Sequence, residues 1–197
     1  MSPMSLQDRI INNFSDSIQA QQEALSYLPE LIEYASQQIV SALLNDKKIL
    51  TCGNGRSATT AQLFSSAMLN QFERDRPSLP AINLSTDIAT ITAVANDYHY
   101  DEVFSKQLRA LGQSGDILLF FTDCNSSCNI AKAITTAHDK DILVIAITGN
   151  EGGLISPLLY ETDIEIRVNS SSSIRIQEVH ILITHCLCDL IDHQLFG

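Results

Sequence analysis

The chain has 197 residues, of which 45% are hydrophobic and 18% are charged, and this composition excludes a disordered, collagen-like or low-complexity protein. Its 23 acidic and 12 basic side chains give a formal net charge of −11, which argues against non-specific binding to nucleic acid or to anionic membranes. No apolar run approaches the roughly 20 residues of a membrane span, and the first residues lack the basic and apolar regions of a signal peptide. We therefore expect a cytoplasmic protein.

The five cysteines are Cys52, Cys124, Cys128, Cys186 and Cys188. An odd number of cysteines in a chain with an adequate core predicts reduced thiols rather than a disulfide framework. Cys124 and Cys128 are four residues apart and could face one another, but no second pair of metal ligands lies nearby in the sequence. We therefore expect no structural zinc and no other cofactor.

The hydrophobic pattern predicts helices and strands that alternate along most of the chain. Two helices come first, one over residues 6–24 and one that begins at Pro29, in a first-turn position, and ends at Asn45-Asp46. Strands are predicted at 48–52, 79–84, 116–121, 141–147 and 164–168, and the last of these alternates as an edge strand does. The other predicted helices cover 57–72, 87–95, 101–111, 130–137 and 172–194.

Strands that alternate with helices indicate an α/β fold in three layers, with a five-stranded parallel sheet flanked by helices on both faces. We expect an N-terminal helical segment over residues 1–29, which makes oligomer contacts, and a main domain over 30–197. The last predicted helix is apolar around most of its circumference, so it must be buried on several sides. We expect part of that burial to come from a second copy of the chain.

The loop Cys52-Gly53-Asn54-Gly55-Arg56-Ser57 connects a predicted strand to a predicted helix. Glycines allow a tight turn, and a helix N-terminus offers N–H groups and a partial positive charge to an anion. Ser57 could cap that helix. The same residues formally match a dinucleotide fingerprint, but no acidic residue ends a second strand about 20 residues later, and the lysine ending of a P-loop is missing. A tight turn with a serine cap is the structural alternative.

A second loop, Thr122-Asp123-Cys124-Asn125-Ser126-Ser127, follows the third predicted strand. Its small and hydroxyl side chains suit a phosphate, whereas the Asp123 carboxylate would repel one. In the last predicted helix, Gln177 and His180 are three residues apart and share a face. His180 is either a hydrogen-bonded core residue or a catalytic one, and the sequence pattern leaves both open.

The segment Gly53-Asn54-Gly55-Arg56-Ser57 resembles the first signature of sugar isomerase (SIS) domains, and the strand that begins at Gly115-Asp116 resembles the second. Residues 175–180 are similar to the last-helix motif of the phosphoheptose isomerase subgroup. The resemblance continues through 76–82, 95–97 and 186–192, and it covers essentially the whole chain. It implies the SIS fold and a vestigial phosphosugar pocket formed by Asn54, Gly55, Ser57, Asp97, Thr122, Ser127, Gln177 and His180.

This chain departs from the subgroup pattern at two positions of one helix. The isomerases carry a glutamate, their general base, ten residues after the loop serine, where this chain has Ala67, and a metal-binding histidine corresponds here to Leu63. The second loop also replaces a glycine by Asn125 and introduces Asp123. Because alanine cannot accept a proton, these departures predict a protein that is not an enzyme and has no catalytic residues.

The runs at 76–81 and 186–192 are most similar to subgroup members that associate with the replication initiator DnaA. That finer resemblance implies a homotetramer, a dimer of dimers, which binds several DnaA molecules and promotes their assembly at the chromosomal origin. Leu195 and Phe196, placed just beyond the last predicted helix, are the candidate DnaA contacts, unless they fold back onto a neighbouring subunit.

Two other functions stay open. One is a phosphosugar isomerase that uses His180 together with Asp97 as its base, and the other is a phosphosugar sensor that holds its ligand with Ser57 and Ser127.

Overall fold

The computed structural model describes residues 5–123, 126–150 and 152–197, and in them five parallel strands form one sheet. The strands are β1 (Ile49–Gly53), β2 (Ala81–Asn83), β3 (Ile117–Phe121), β4 (Leu143–Gly149) and β5 (Ile164–Val168), in the order β2-β1-β3-β4-β5. Because every pair is parallel, all five strands end at the same edge of the sheet. The predicted α/β class, the five-stranded parallel sheet and the edge position of β5 are confirmed.

Helices cover both faces of this sheet. They are α1 (Leu6–Leu25), α2 (Pro29–Leu44), α3 (Arg56–Leu69), α4 (Ile88–Asp97), α5 (Val103–Leu111), α6 (Cys128–His138) and α7 (Ser173–Phe196), with short 3-10 helices at Tyr100–Glu102 and Ser156–Leu158. Leu119 and Phe121 face a core shared with α2, α3 and α7, whereas Leu118 and Phe120 face a core shared with α4, α5 and α6. Along the described chain, no helix has both the length and the apolar character that crossing a membrane requires.

The first helix leaves most of its apolar side chains uncovered. Ala24 is buried, whereas Leu6, Ile10, Phe14 and Ile18 are each more than half exposed. The helix starts with a capping box, in which Ser5 and Asp8 exchange hydrogen bonds. The predicted boundary at residue 29 and the predicted oligomer contacts of residues 1–29 stay predictions.

Predicted and observed helix ends differ by up to three residues, as in α3, which ends at Leu69 and not at residue 72. Two of these differences concern residues singled out in the sequence. The prediction of Ser57 as a helix cap is wrong: the N-cap is Gly55, with φ of +54°, and Ser57 lies buried in the first turn. Glycine reaches positive φ without a steric penalty, so the chain enters the helix earlier than the serine would place it. The last helix does not stop at Gln194 either, because Leu195 packs onto the core and extends α7 to Phe196.

Arg76 joins the C-terminal ends of α3 and α7, and Arg74 contacts the end of α7. Arg76, almost fully buried, donates to the carbonyl oxygens of Ala67 and Met68 at 2.7 and 2.6 Å and pairs with the Asp192 carboxylate at 2.9 Å. Arg74 donates to the carbonyl oxygens of Asp192 and Gly197. The last carbonyl groups of a helix have no hydrogen-bond donor within the helix. Here the arginine guanidinium groups donate to them.

Candidate functional site

The glycine loop lies at the edge where the parallel strands end, between β1 and α3. Gly53 is packed so closely that a Cβ atom there would lie 2.6 Å from the backbone carbon of Ser57. Its N–H donates to the Ser85 hydroxyl at 3.1 Å, and that hydroxyl donates back to the Gly53 carbonyl oxygen at 3.0 Å. The turn is thus held against the segment after β2, and the first turn of α3 opens onto the sheet edge, where its dipole favours an anion.

Asn54 joins this loop to two other segments. Its Nδ2 donates to Asn129 Oδ1 at 2.8 Å, and Asn129 Nδ2 donates back to Asn54 Oδ1 at 2.8 Å. The Tyr100 hydroxyl donates to the same Asn54 oxygen at 3.2 Å. Asn129 is buried in the first turn of α6, and Tyr100 lies in the turn between α4 and α5. Three separate parts of the chain therefore meet at one amide.

Arg56 and Asp123 form an ion pair across the ends of β1 and β3. The guanidinium Nη2 lies 3.0 Å from Asp123 Oδ2 and also donates to the Ser173 hydroxyl at 3.0 Å, at the start of α7. From the sequence alone, the Asp123 carboxylate is expected to repel a phosphate. In the structure its carboxylate has a cation beside it, so the local charge is close to balanced.

His180 lies under this edge on α7, with only 1% of its surface exposed. Its Nε2–H donates to the Thr148 carbonyl oxygen at 3.0 Å, which leaves Nδ1 as the unprotonated ring nitrogen. Burial lowers the pKa of His180 to about 4, while the Thr148 hydrogen bond and the Asp123 charge oppose that shift. The imidazole is therefore neutral at pH 7 and able to accept a proton at Nδ1.

The other predicted pocket residues lie at or near the same edge. Thr122 is buried directly after β3, Ser127 is the N-cap of α6, and Gln177 is half-buried one turn before His180 on α7. Asp97 ends α4, is exposed, and accepts a hydrogen bond from its neighbour Asn96. Cys124 and Asn125 lie outside the described residues, so the predictions on them are untested.

Ala67 and Leu63 lie on α3 as the sequence analysis expects. Ala67 is buried and supplies no polar side-chain atom, and Leu63 is partly exposed. Over residues 5–123, 126–150 and 152–197, no three histidine, cysteine or acidic side chains come close enough together to hold a metal ion.

Sequence reasoning missed several contributors to this edge. Asn129, Tyr100, Ser85 and Ser173 contact the glycine loop or Arg56 through side-chain hydrogen bonds. All but Tyr100 are short polar residues next to the end of a predicted strand or the start of a predicted helix. That position was a usable signal, because ligands of parallel α/β sheets bind outside the carboxyl ends of the strands.

Comparison with known proteins identifies the relatives of this chain. Residues 13–149 match the SIS domain family. The chain is 55% identical over 194 residues to a phosphoheptose isomerase of Methylococcus capsulatus, covering 98% of this chain and all of that protein, and 56% identical to one of Chromohalobacter salexigens, covering 98% of each. Among solved structures, it matches phosphoheptose isomerases of Francisella tularensis (TM-score 0.94, 48% identity) and Neisseria gonorrhoeae (TM-score 0.91, 43% identity), over 96% of this chain and all of each structure.

These relatives correct the functional expectation. The prediction of a non-enzymatic regulator of replication initiation is wrong, because proteins that share more than half of their residues with this chain are named as isomerases. Ala67 alone does not outweigh an identity of 53–56% over almost the whole chain. Nothing in the comparisons points to DnaA. The chain belongs to the SIS domain family and, within it, to the group that resembles phosphoheptose isomerases.

Proposed function

We propose that this protein is a phosphosugar isomerase, which interconverts an aldose phosphate and a ketose phosphate by moving a proton between adjacent sugar carbons. The observation that carries this proposal is the identity of 53–56%, over 96–98% of the chain, to four proteins named phosphoheptose isomerase. The matched stretch of 189–194 residues covers almost the whole chain, so it includes both loops and the helix that carries His180.

The arrangement at the sheet edge supports the binding of a phosphorylated sugar. The N-terminus of α3 places a partial positive charge beside Ser57 and the glycine loop. Asn54 and Gln177 add amide groups that suit sugar hydroxyls. The pairing of Asp123 with Arg56 removes the charge conflict that the sequence alone suggested.

Proton transfer in this chain falls to His180 and a second group other than residue 67. Neutral His180, with Nδ1 unprotonated, can take up a proton, and the nearby Asp123 charge favours the resulting imidazolium. Asp97 is the second group that the sequence analysis favours. Since His180 is buried in the unliganded protein, its neighbours must move for a substrate to reach the ring.

The test is an isomerase assay on a panel of heptose and hexose phosphates, with the ketose product as readout. We expect turnover by the wild type and a loss of at least about 100-fold in the His180→Gln variant. His185→Gln is the matched control, because His185 lies on the same helix and is exposed. The absence of turnover by well-folded wild-type protein across the panel would overturn the proposal.

A second candidate function is a phosphosugar sensor that binds its ligand without converting it. Ala67 in place of a general base, together with the burial of His180, favours this candidate. Calorimetric binding of a sugar phosphate by a protein with no turnover would select it over the isomerase.

The finer resemblance to DiaA, the DnaA initiator-associating protein, stays a prediction, as do DnaA binding and a homotetramer. Leu195 is half-buried against the core and the Phe196 ring is 38% exposed beneath Arg74, so Phe196 offers the larger accessible surface of the two. Binding of this protein to purified DnaA, measured on a sensor surface, tests the first of these predictions, and measurement of the oligomeric mass tests the homotetramer.

A further inference from the structure

We infer that Tyr100 and Asn129 are positioning residues, which fix the Asn54 amide so that it offers a bound sugar phosphate one N–H donor and no acceptor. This inference rests on the proposed function, because it assigns a recognition role within the same site. It concerns two residues outside the signatures of the SIS resemblance, and both are linked to the glycine loop only through side-chain hydrogen bonds.

The hydrogen-bonding capacity of Asn54 is nearly used up. A side-chain amide has two acceptor lone pairs and two N–H donors. The oxygen of Asn54 accepts from Asn129 Nδ2 at 2.8 Å and from the Tyr100 hydroxyl at 3.2 Å, and its nitrogen donates to Asn129 Oδ1 at 2.8 Å. Among the described residues, no acceptor is bound to the second N–H of Asn54, so this N–H can donate to a ligand.

The reciprocal pairing also fixes which way the Asn54 amide faces. If the amide turned over, two oxygen atoms and two NH₂ groups would oppose each other, and both hydrogen bonds with Asn129 would be lost. Asn129 cannot turn over to follow, because its Oδ1 also accepts the backbone N–H of Ile130 at 3.0 Å. Asn129 is 3% exposed and belongs to α6, so its orientation is set by the fold and is passed on to Asn54.

Tyr100 is held in place by a separate set of contacts. The two residues that follow it, Asp101 and Glu102, both pair with the Lys132 ammonium, at 2.8 and 2.7 Å. Lys132 lies one turn after Asn129 on α6. Lys132 therefore connects the turn that carries Tyr100 to the helix that carries Asn129, and both elements hold Asn54. The Tyr100 side chain itself is largely exposed.

A single fixed donor selects the chemistry of what it binds. A carbonyl, hydroxyl or phosphate oxygen can accept from it, whereas a group that can only donate cannot. The bond is stronger to an oxygen that carries negative charge, and a donor oriented in advance costs no reorganisation when that charge develops. The ligand class that fits Asn54 is thus an oxygen-rich anion such as a sugar phosphate, with an acceptor oxygen against the amide.

The experiment compares Tyr100→Phe and Asn129→Asp with the wild type and with Tyr98→Phe. Tyr98 is the matched control, because it is as exposed as Tyr100 but its ring lies beneath the Lys106 ammonium instead. The side-chain amide signals of Asn54 are followed by ¹⁵N NMR, and the Kd for sedoheptulose 7-phosphate is measured by calorimetry. We expect both site variants to shift the Asn54 signals and to weaken binding, and Tyr100→Phe should raise the Kd by about 2- to 10-fold. Tyr98→Phe should leave both the Asn54 signals and the Kd unchanged.

The outcomes are distinguishable. Asn54 signals that do not move in Tyr100→Phe would overturn the inference, as would shifted signals with an unchanged Kd. Thermal melting separates these effects from a loss of fold, because Tyr100→Phe removes one exposed hydroxyl and should melt at the wild-type temperature. If the wild type binds no member of the phosphosugar panel, the proposed function fails and this inference fails with it, whatever the NMR signals show.

Discussion

The guanidinium of Arg56 lies 3.0 Å from the carboxylate of Asp123, although the two residues are 67 positions apart in the chain. One begins α3 at the end of β1, and the other follows β3, the neighbouring strand in the sheet. The pair therefore bridges the ends of two neighbouring strands at the candidate site. It allows a carboxylate to lie where an anionic ligand is proposed to bind, because the cation beside it balances the charge.

Removal of the Arg56 charge should weaken anion binding. In Arg56→Gln, the Asp123 carboxylate is left without its cation, and we expect the affinity for a sugar phosphate to fall about 10-fold. Adding Asp123→Asn should recover most of that loss, since the repelling charge is then gone as well. Calorimetry measures both. Because the pair is partly exposed, unfolding free energies should change by less than about 1 kcal/mol. A double variant no better than Arg56→Gln would contradict this account.

His180 should make the protein less stable as the pH falls. Its pKa is about 4 in the folded protein, against about 6.5 in an unfolded chain, so below pH 6.5 the unfolded state takes up a proton that the folded state does not. Above pH 6.5, His180 does not lower the free energy of unfolding. Between pH 6.5 and pH 4, its titration lowers that free energy by about 3 kcal/mol in total. Urea unfolding at pH 7, 6, 5 and 4 should show a steeper decline in the wild type than in His180→Gln. Parallel curves would refute the assignment.

Gly53 should not tolerate a side chain. A Cβ atom would lie 2.6–2.9 Å from three atoms of Ser57, two of them backbone, so Gly53→Ala must push the start of α3 away from β1. We expect a loss of about 1–3 kcal/mol of stability and of sugar phosphate binding. Gly55→Ala tests a different cost, because its Cβ would meet no atom within 4 Å but its φ of +54° with ψ of −121° is a backbone conformation that L side chains rarely adopt. A Gly53→Ala variant as stable as the wild type would contradict the steric explanation.

Asp192→Ala should be among the most damaging single changes in α7. It leaves the buried Arg76 guanidinium without its carboxylate, and breaking a buried pair costs about 3–5 kcal/mol. Asp189→Ala, one turn earlier on the same helix, removes an exposed carboxylate and should cost less than about 0.5 kcal/mol. Urea unfolding monitored by circular dichroism compares the two. Similar midpoints would show that the buried pair contributes little.

Much of the fold is legible in the sequence. Ile117–Phe121 is apolar at every position because its side chains alternate between two cores, and the polar–apolar alternation of Ile164–Val168 follows from its place at the sheet edge. Helix ends were less predictable. Ser57 has the chemistry of a cap, but the positive φ of Gly55 starts the helix before it.

The contacts of the candidate site could not be predicted from spacing. Asn54 and Asn129 are 75 residues apart, and only the order of the strands brings them together. Ala67 shows a different limit of prediction from a single position. A single position without a proton acceptor says which residue does not act as a base, but it does not exclude catalysis by other groups at the same edge.

The pairing of Arg76 with Asp192 has a consequence for the order in which the protein assembles. Arg76 is synthesised 116 residues before Asp192, so on the ribosome the guanidinium has no carboxylate until α7 has emerged. Until then, the α3 carbonyl groups that Arg76 will bind remain available to water, and the sheet lacks α7, one of the helices that cover one of its faces. The last two dozen residues therefore close the structure, and a truncated chain that ends before α7 would display its apolar sheet face to other molecules.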